Sequence, residues 1–304
     1  MQTLTRFSLL ASLIAASALP AAAVNTIFAP GVTRESGWYD TNKAFTNQDS
    51  QLCWAATATN IVAWWLDRYE AGGGDLTGIS RDTTTIFKNF QDNWANEGGD
   101  NSKGVNWYFT GGFSDNTNPS NLTNVNSGGY LADLNGVGGR NSWRMLNGDF
   151  TSFGNEETQV PFMNPMNGDY ISNKHYEFSQ IVINQLKLGA TMMSVHKVNA
   201  LYGNTGHSIT LWGCEYDEAL GLVTKIYVTD SDDEARSGYG LKGYDIVVGS
   251  DGGIIMDKYW YGNDQYGRIT DLTMMYAPYI PEPSAFGLLA GVLAFGLGVS
   301  RRRR

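Results

Sequence analysis

A polar segment at residues 46–51 gives way abruptly to a helical pattern of apolar residues. From Trp54 onward the apolar positions recur at steps of three and four, which is typical of an α-helix with one buried stripe. The stripe consists of Trp54, Ala58, Ile61, Val62, Trp65, Leu66 and Tyr69. Neither Gly nor Pro interrupts the pattern before the glycines at 72–74, which are predicted to end the helix. Cys53 is therefore predicted to lie at a helix N-terminus.

Shorter patterns along the chain predict two further helices and several strands. The helices are expected at 82–94 and at 176–188, where Gly189 ends the pattern. The strands are expected at 190–198, 207–213, 222–229, 245–248 and 269–276. Segment 24–34 is expected to be extended and loop-like, and segment 203–206 to form a turn. The region 96–169 is rich in Gly, Asn, Ser and Asp and is expected to contain loops with short strands or helices.

These elements favour an α+β fold. A helical N-terminal half carries the cysteine on a central helix, and a C-terminal half forms an antiparallel sheet.

Both ends of the chain have the composition of sorting signals. Residues 1–23 have one early charge, Arg6, then an apolar run at 7–19 and a small-residue cleavage site at 21–23, which predicts a signal peptide and export. A domain at 24–280 follows.

The tail at 281–304 contains a Pro-Glu-Pro motif, an apolar run at 284–300 and four arginines. It resembles the PEP-CTERM sorting signal of Gram-negative bacteria. The resemblance implies processing by an exosortase-type enzyme, transient membrane association, and a final location on the cell surface or in the extracellular matrix. The alternative is an ordinary single-span anchor, because 17 residues are just enough to cross a bilayer.

Charge and cysteine content limit the possible partners. The chain has 21 basic and 30 acidic residues, for a net charge of −9, and removing both signals takes it to about −13. Such an acidic protein without a basic patch is not expected to bind nucleic acid. Two cysteines cannot form a disulfide framework.

Cys53 is the candidate nucleophile. The unpaired N–H groups and the positive dipole end of a helix N-terminus favour the thiolate form of a cysteine. Two structural alternatives remain open at this point. A lone cysteine can be a small buried apolar residue, and in an exported protein Cys53 could form a disulfide with Cys214.

A nucleophilic thiol needs a base, and the chain offers three histidines. His207 is the best candidate because it follows a glycine turn and is expected to open an apolar strand, where a sheet would fix it beside a cleft. His196 lies near the end of a predicted strand and is possible. His175 precedes a helix in a polar stretch and is expected at the surface.

Asp230 is the candidate that would orient the base. It ends the strand predicted at 222–229 and could accept a hydrogen bond from the imidazole of His207. A solvated acidic loop is one alternative. A calcium loop is another, although the run at 230–235 lacks the Gly and the alternating ligands of an EF-hand.

Two groups of motifs then agree with one family in order and spacing. The first group consists of Trp38, Tyr39, Asp40, Lys43, Phe45, Cys53, Ala55, Ala56, Thr57, Ala58, Asn60, Trp64 and Trp65. The second consists of His207, Leu211, Trp212, Gly213 and the run at 226–232. Together they resemble the IgG-degrading streptococcal endopeptidase (IdeS/Mac) family of papain-clan cysteine proteases. The likeness covers about residues 36–69 and 190–276, whereas the Asn- and Gly-rich middle matches poorly.

The resemblance implies a papain-like fold and a role for five residues. Cys53 would be the nucleophile and His207 the general base and acid. Asp230 would orient the imidazole and Asp232 would support the site. Lys43 would stabilise the oxyanion together with the backbone N–H of Cys53.

Papain-like enzymes use a glutamine as the oxyanion donor, so Gln48 and Gln51 are alternatives to Lys43. The expected activity is hydrolysis of an extracellular protein or peptide without a metal or cofactor. Two other functions remain open, namely an acyl transferase of the transglutaminase kind and an inactive binding or matrix module.

Overall fold

The computed structural model describes residues 23–111, 118–134, 148–149, 162–163, 170–171, 173–187, 189–199, 203–232, 238–249, 253–259 and 266–278. Residues 1–22 of the predicted signal peptide and the whole predicted sorting tail lie outside these ranges. Within the described residues, no helix is long and apolar enough to span a membrane. The apolar run at 284–300 lies outside that search.

Four α-helices and a short 3-10 helix carry the helical part of the fold. They are α1 (Cys53–Ala71), α2 (Thr83–Asn93), α3 (Asn101–Thr110), the 3-10 helix Ala132–Leu134 and α4 (Asn173–Leu186). The helices predicted around 54–69, 82–94 and 176–188 are thus all present.

Helix α1 is the centre of the core and is buried on nearly every side. It packs against α2 and α3 and, through another face, against the strand β6 (Gly203–Asp217). Every residue from 54 to 66 is buried, so the single stripe predicted from the sequence understates how far the helix is enclosed. A helix in this position is held mainly by packing, since burial of apolar surface is the dominant favourable term in folding.

Helix α3 was expected only as part of a region of loops and short elements. The carboxylate of Asp100 caps it by accepting hydrogen bonds from the N–H groups of Ser102 and Lys103. Gly104 lowers its intrinsic helix propensity, but a Cβ at this position would lie 2.8 Å from the ring of Trp54. The glycine therefore allows α3 to pack closely on α1.

The strands pair antiparallel throughout. They are β1 (Val24–Phe28), β2 (Gly148–Asp149), β3 (Phe162–Met163), β4 (Tyr170–Ile171), β5 (Gly189–Asn199), β6 (Gly203–Asp217), β7 (Leu222–Thr229), β8 (Lys242–Val248), β9 (Ile254–Met256) and β10 (Tyr266–Tyr276). In the main sheet the pairings run from β6 through β5, β10, β9, β8 and β7 and return to β6, so they close into a ring. The expected α+β fold with an antiparallel C-terminal sheet is confirmed.

Segment 24–34 was expected to be extended and loop-like, and its first part, Val24–Phe28, forms the regular strand β1. It pairs with the end of β6, from the Phe28–Gly213 pair to the Val24–Asp217 pair. A Cβ at Gly213 would lie 2.3 Å from the Phe28 ring, so the glycine leaves room for this ring.

The turn expected at 203–206 is also corrected, because these residues are already part of β6. Gly203 pairs with Asn199 of β5 and so already belongs to a strand. His207 therefore does not open its strand. It lies inside β6, opposite Val195 of β5.

Candidate active site

Cys53 is the first residue of α1 and is partly exposed, although the rest of that helix end is buried. Leu52 occupies the N-cap, and no side chain caps the helix. The first N–H groups of a helix have no intrahelical acceptor and carry the positive end of its dipole. The predicted helix N-terminal position of Cys53 is thus confirmed.

His207 connects Cys53 to a carboxylate. Its Nε2 donates a hydrogen bond to Oδ1 of Asp230 over 2.6 Å, and its ring also hydrogen-bonds the side chain of Cys53. The imidazole is buried, and the ladder to β5 holds the backbone of His207 opposite Val195. An imidazole held between a thiol and a carboxylate can exchange a proton with the thiol without leaving its place.

Asp230 directly follows β7 and is buried. Its Oδ1 accepts from His207 and, over 3.0 Å, from the backbone N–H of Asp232. Its Oδ2 accepts from the hydroxyl of Tyr259 over 2.6 Å. Both carboxylate oxygens therefore have donors, as a buried charge requires.

Lys43 and Asp232 form a buried ion pair next to the histidine. The Lys43 Nζ lies 2.6 Å from Oδ1 of Asp232 and donates to the carbonyl of Ser50 over 3.0 Å. The other oxygen of Asp232 lies 3.9 Å from Nδ1 of His207. The backbone N–H of Lys43 also donates to the carbonyl of Ser231 over 3.1 Å, so the segment before the cysteine is tied to the turn after β7.

The charges of this cluster favour an ion pair between the thiol and the imidazole. Burial alone would raise the pKa of Cys53, but the charge and hydrogen bond of His207, the charge of Lys43 and the backbone N–H of Ser208 together lower it. Burial would lower the pKa of His207, but Asp230 and Cys53 raise it to about 10. The pKa of Asp230 falls to about 2 despite its burial, chiefly because of His207. A thiolate facing an imidazolium is the form that these shifts favour.

Asn60 of α1 joins the segments that carry these side chains. Its Oδ1 accepts from the N–H of Thr41 over 2.9 Å, and its Nδ2 donates to the hydroxyl of Thr210 over 3.0 Å. Thr229, one residue before Asp230, accepts from the indole of Trp212 over 2.8 Å. The helix of Cys53 is thus linked through buried polar groups to the strand of His207 and to the segment of Lys43.

The remaining candidates lie elsewhere or face other partners. His175 was expected at the surface before a helix, but it lies inside α4, half-buried, with Nε2 hydrogen-bonded to the carbonyl of Val223 over 2.8 Å. His196 lies in β5 opposite Gly206. Gln48 and Gln51 are both exposed.

Both cysteines are free thiols, which argues against the disulfide alternative. Cys214 is buried in β6, and burial raises the pKa of its thiol to about 12.

Two partners of the site were not predicted from the sequence. One is Tyr259, which reaches Asp230 from the turn after β9. The other is Asn101 at the start of α3, whose Oδ1 accepts from the hydroxyl of Ser208 over 2.8 Å and so holds the residue next to His207. Neither stands in a local motif, because each is brought to the site by tertiary packing.

His207, Asp230 and Asp232 lie close enough to bind one metal ion, with ligand atoms within 4.8 Å of one another. However, the acceptor atoms already face protonated donors, namely the imidazole, the Tyr259 hydroxyl and the Lys43 ammonium. A cation bound here would also lie next to the ammonium that is paired with Oδ1 of Asp232. The donor set therefore suits hydrogen bonding better than metal binding.

The fold and site define an α+β protein in which the first residue of a buried helix meets a histidine and an aspartate from neighbouring strands. The family model described as Mac 1 matches residues 25–97 and 166–271. These segments make up more than half of the chain, so the protein belongs to this family. The match omits residues 98–165, in agreement with the expectation that the middle region departs from the family.

A curated relative points in the same direction. The chain is 25% identical over 245 residues to a protein named IgM protease from Streptococcus suis (strain P1/7). The aligned region covers 75% of this chain but 20% of that protein. The chain thus spans about one fifth of the length of this relative.

Proposed function

We propose that the protein is a cysteine endopeptidase in which Cys53 is the nucleophile and His207 the general base and acid. The observation that carries this proposal is the single imidazole of His207, which hydrogen-bonds Cys53 with one part of its ring and Asp230 with another. Nucleophilic acyl transfer requires a nucleophile, a base next to it, and a third group that orients the base.

The first chemical step is attack of the Cys53 thiolate on a peptide carbonyl carbon. The pair of electrons from the C=O bond moves to the oxygen and forms a tetrahedral oxyanion. As the oxyanion collapses, the C–N bond breaks and the imidazolium of His207 gives its proton to the leaving amine. The product is a thioester on Cys53, and His207 is then neutral.

Water completes the reaction in the second step. The neutral imidazole of His207 takes a proton from water as the oxygen attacks the thioester carbonyl. The C–S bond breaks, the acid product leaves, and the thiolate and imidazolium are restored. Asp230 remains ionised throughout and stabilises the imidazolium, in keeping with its pKa of about 2.

Lys43 supports the oxyanion in this proposal, together with the backbone N–H of Cys53. An ammonium has three N–H donors, and Asp232 and Ser50 accept two of those of Lys43. The third is proposed to point toward the developing negative charge. Asp232 holds the ammonium in place and keeps a second negative charge near the imidazole.

We propose an extracellular protein as the substrate. IgM is a rational first candidate because the S. suis relative is named IgM protease. The region 98–165 is not matched by the family, and it includes α3, which contacts the cysteine helix. Differences in this region are proposed to give the protein its own substrate preference.

Export through the signal peptide at 1–23 and processing of the tail at 281–304 by an exosortase-type enzyme complete the proposal. The tail would hold the protein at the membrane until it is cut, after which the enzyme acts at the cell surface or in the matrix of a Gram-negative bacterium. Expression in such a host, followed by mass analysis of the mature chain, tests both cleavage sites.

The catalytic proposal is tested by incubating the protein at residues 24–280 with IgM, IgG and a peptide library, and analysing the products by mass spectrometry. We expect peptide bonds to be cleaved, and we expect prior treatment of the protein with iodoacetamide to abolish this cleavage. Transfer of an added amine to glutamine would indicate an acyl transferase instead. Unchanged substrates together with an unreactive Cys53 would overturn the proposal in favour of a binding module.

A further inference from the structure

The carboxylate of Asp230 is held at its far oxygen by Tyr259. The hydroxyl of Tyr259 donates to Oδ2 over 2.6 Å, while Oδ1 accepts from His207 at the same distance. Tyr259 is 1% exposed, so its ring does not reach a substrate. We infer that Tyr259 is a positioning residue that fixes the Asp230 carboxylate against the imidazole and disperses part of its negative charge. This inference rests on the proposed function.

The chain makes an unusual turn to bring Tyr259 to this position. β9 ends at Met256, and Lys258 then adopts a φ of +55°, a left-handed conformation that residues other than Gly, Asn and Asp seldom adopt. The N–H of Asp257 donates to the carbonyl of Asp245 over 2.9 Å and anchors the turn to β8. Non-glycine residues in such conformations cost free energy and persist only where the surrounding structure over-determines them.

The tyrosine ring is also held from the side. Tyr244 of β8 meets it edge-on, with the ring centroids 5.3 Å apart and the planes at 78°. An aromatic pair in this geometry restricts the ring orientation and therefore the direction of the hydroxyl.

The groups around Tyr259 ensure that it acts as a donor. Burial, the charge of Asp230, the hydrogen bond to it, and the neighbouring Tyr244 and Asp232 all raise the pKa of Tyr259 well above its ordinary value. The hydroxyl therefore keeps its proton and points it at Oδ2.

Two consequences follow for His207. With both oxygens of Asp230 bound, the carboxylate cannot rotate away from the imidazole. The hydrogen bond from Tyr259 also makes the carboxylate less basic, because it stabilises the negative charge. The charged groups that face His207 include Asp230, Cys53 and, at 3.9 Å from Nδ1, Asp232. Less basicity at Asp230 keeps the pKa of the imidazole from rising further.

The test is Tyr259→Phe, which removes the hydroxyl and keeps the ring. We expect kcat to fall about tenfold with KM little changed, because the residue acts on the transition state through Asp230 and His207. In the pH profile of Cys53 alkylation by iodoacetamide, the step at which the imidazolium loses its proton should move to higher pH.

Tyr227→Phe is the matched control. Tyr227 has a buried ring, and its hydroxyl donates to a carboxylate, that of Glu215, in a partly buried position away from the site. This change should lower stability but leave kcat and the alkylation profile unchanged. If Tyr259→Phe behaved like Tyr227→Phe in both readouts, the role of Tyr259 would be structural and the inference would be overturned.

Two further measurements keep the inference testable if Tyr259→Phe folds poorly. Replacing Tyr259 with 3-fluorotyrosine makes the hydroxyl a stronger donor, so the imidazolium step should move to lower pH; no movement would contradict the inference. In an Asp230→Asn background, Tyr259→Phe should have little further effect on kcat, and full additivity would count against coupling. The alkylation profile needs no substrate, so it tests Tyr259 even if the wild-type protein cleaves no peptide.

Discussion

Cys53 and Cys214 carry the same thiol in opposite surroundings. Cys53 begins α1, is partly exposed and hydrogen-bonds His207, and its pKa is lowered even though burial acts against this. Cys214 lies inside β6, fully buried, where burial and the charge of Glu215 raise its pKa to about 12. Burial alone would have made both thiols inert. What distinguishes Cys53 is a set of donors and positive charges aimed at its sulfur.

The largest expected effect comes from removing each thiol in turn. Cys53→Ala should abolish turnover, because it removes the thiol that hydrogen-bonds His207. Cys214→Ala should keep most of the activity, since it removes one small buried group remote from the ion pair. The test is the turnover rate of each variant on a substrate of the wild-type protein. Comparable losses of turnover in the two variants would contradict the proposed difference between Cys53 and Cys214.

Among the groups that lower the pKa of Cys53, His207 has the strongest effect. His207→Ala should therefore make the reactivity of Cys53 more like that of Cys214. Turnover should fall to near background, and the pKa of Cys53 should rise, because burial is then opposed chiefly by Lys43 and the N–H of Ser208. His175→Ala and His196→Ala are the controls and should keep kcat within a few-fold. Loss of activity in His196→Ala with normal turnover in His207→Ala would reverse the assignment of the base.

Lys43 should have the next largest effect. A donor that acts mainly on the oxyanion affects kcat more than KM, and loss of one such donor costs roughly 10²–10³ in kcat. We expect Lys43→Ala to lower kcat by about this factor with KM little changed. Its charge also lowers the pKa of Cys53, so alkylation should shift to higher pH.

Wild-type kcat in Lys43→Ala would argue against the oxyanion role. In that case Gln48 and Gln51 would have to be tested, although both side chains are exposed. Lys88→Ala is a suitable control, because Lys88 is an exposed lysine whose ion pair with Asp92 lies along α2.

Asn60 should have the smallest effect on activity and a measurable effect on stability. Its removal leaves Thr210 and the N–H of Thr41 without a buried partner, which costs about 1–3 kcal/mol per unsatisfied group. We expect Asn60→Ala to lower the free energy of unfolding, measured by urea denaturation, by an amount of this order of magnitude. Asn89→Ala, which removes a half-buried hydrogen bond to Tyr108, should cost less. Equal losses in the free energy of unfolding would show that the hydrogen bonds of Asn60 contribute no more to stability than that of Asn89.

Much of the fold was predictable because its elements have clear periodicity. The apolar spacing after Cys53 and the β-prone run at 222–229 agree with α1 and β7. β1 and α3 were not recognised for physical reasons. β1 is stabilised by pairing with β6, and α3 contains a glycine that local propensity penalises but packing against Trp54 requires. Both depend on contacts with distant parts of the chain.

The residues of the site also divide into those with a recognisable local pattern and those that depend on distant parts of the chain. Cys53, His207 and Asp230 could be selected because each lies at a recognisable place relative to a helix or strand, and the structure brings them together. Lys43 and Asp232 were named only through family resemblance, and their ion pair was not expected. Tyr259 gave no signal, since a single tyrosine in a turn becomes informative only when its partner is known.

The most direct measurement of the central claim is the rate of iodoacetamide alkylation of each cysteine as a function of pH, followed by peptide mass spectrometry on the folded protein. Alkylation of Cys53 is predicted to become fast well below the ordinary thiol pKa of about 8.5, while Cys214 stays unmodified until the protein unfolds. A profile for Cys53 that rises only above pH 8.5, or equal labelling of both cysteines in the folded state, would contradict a thiolate–imidazolium pair between Cys53 and His207.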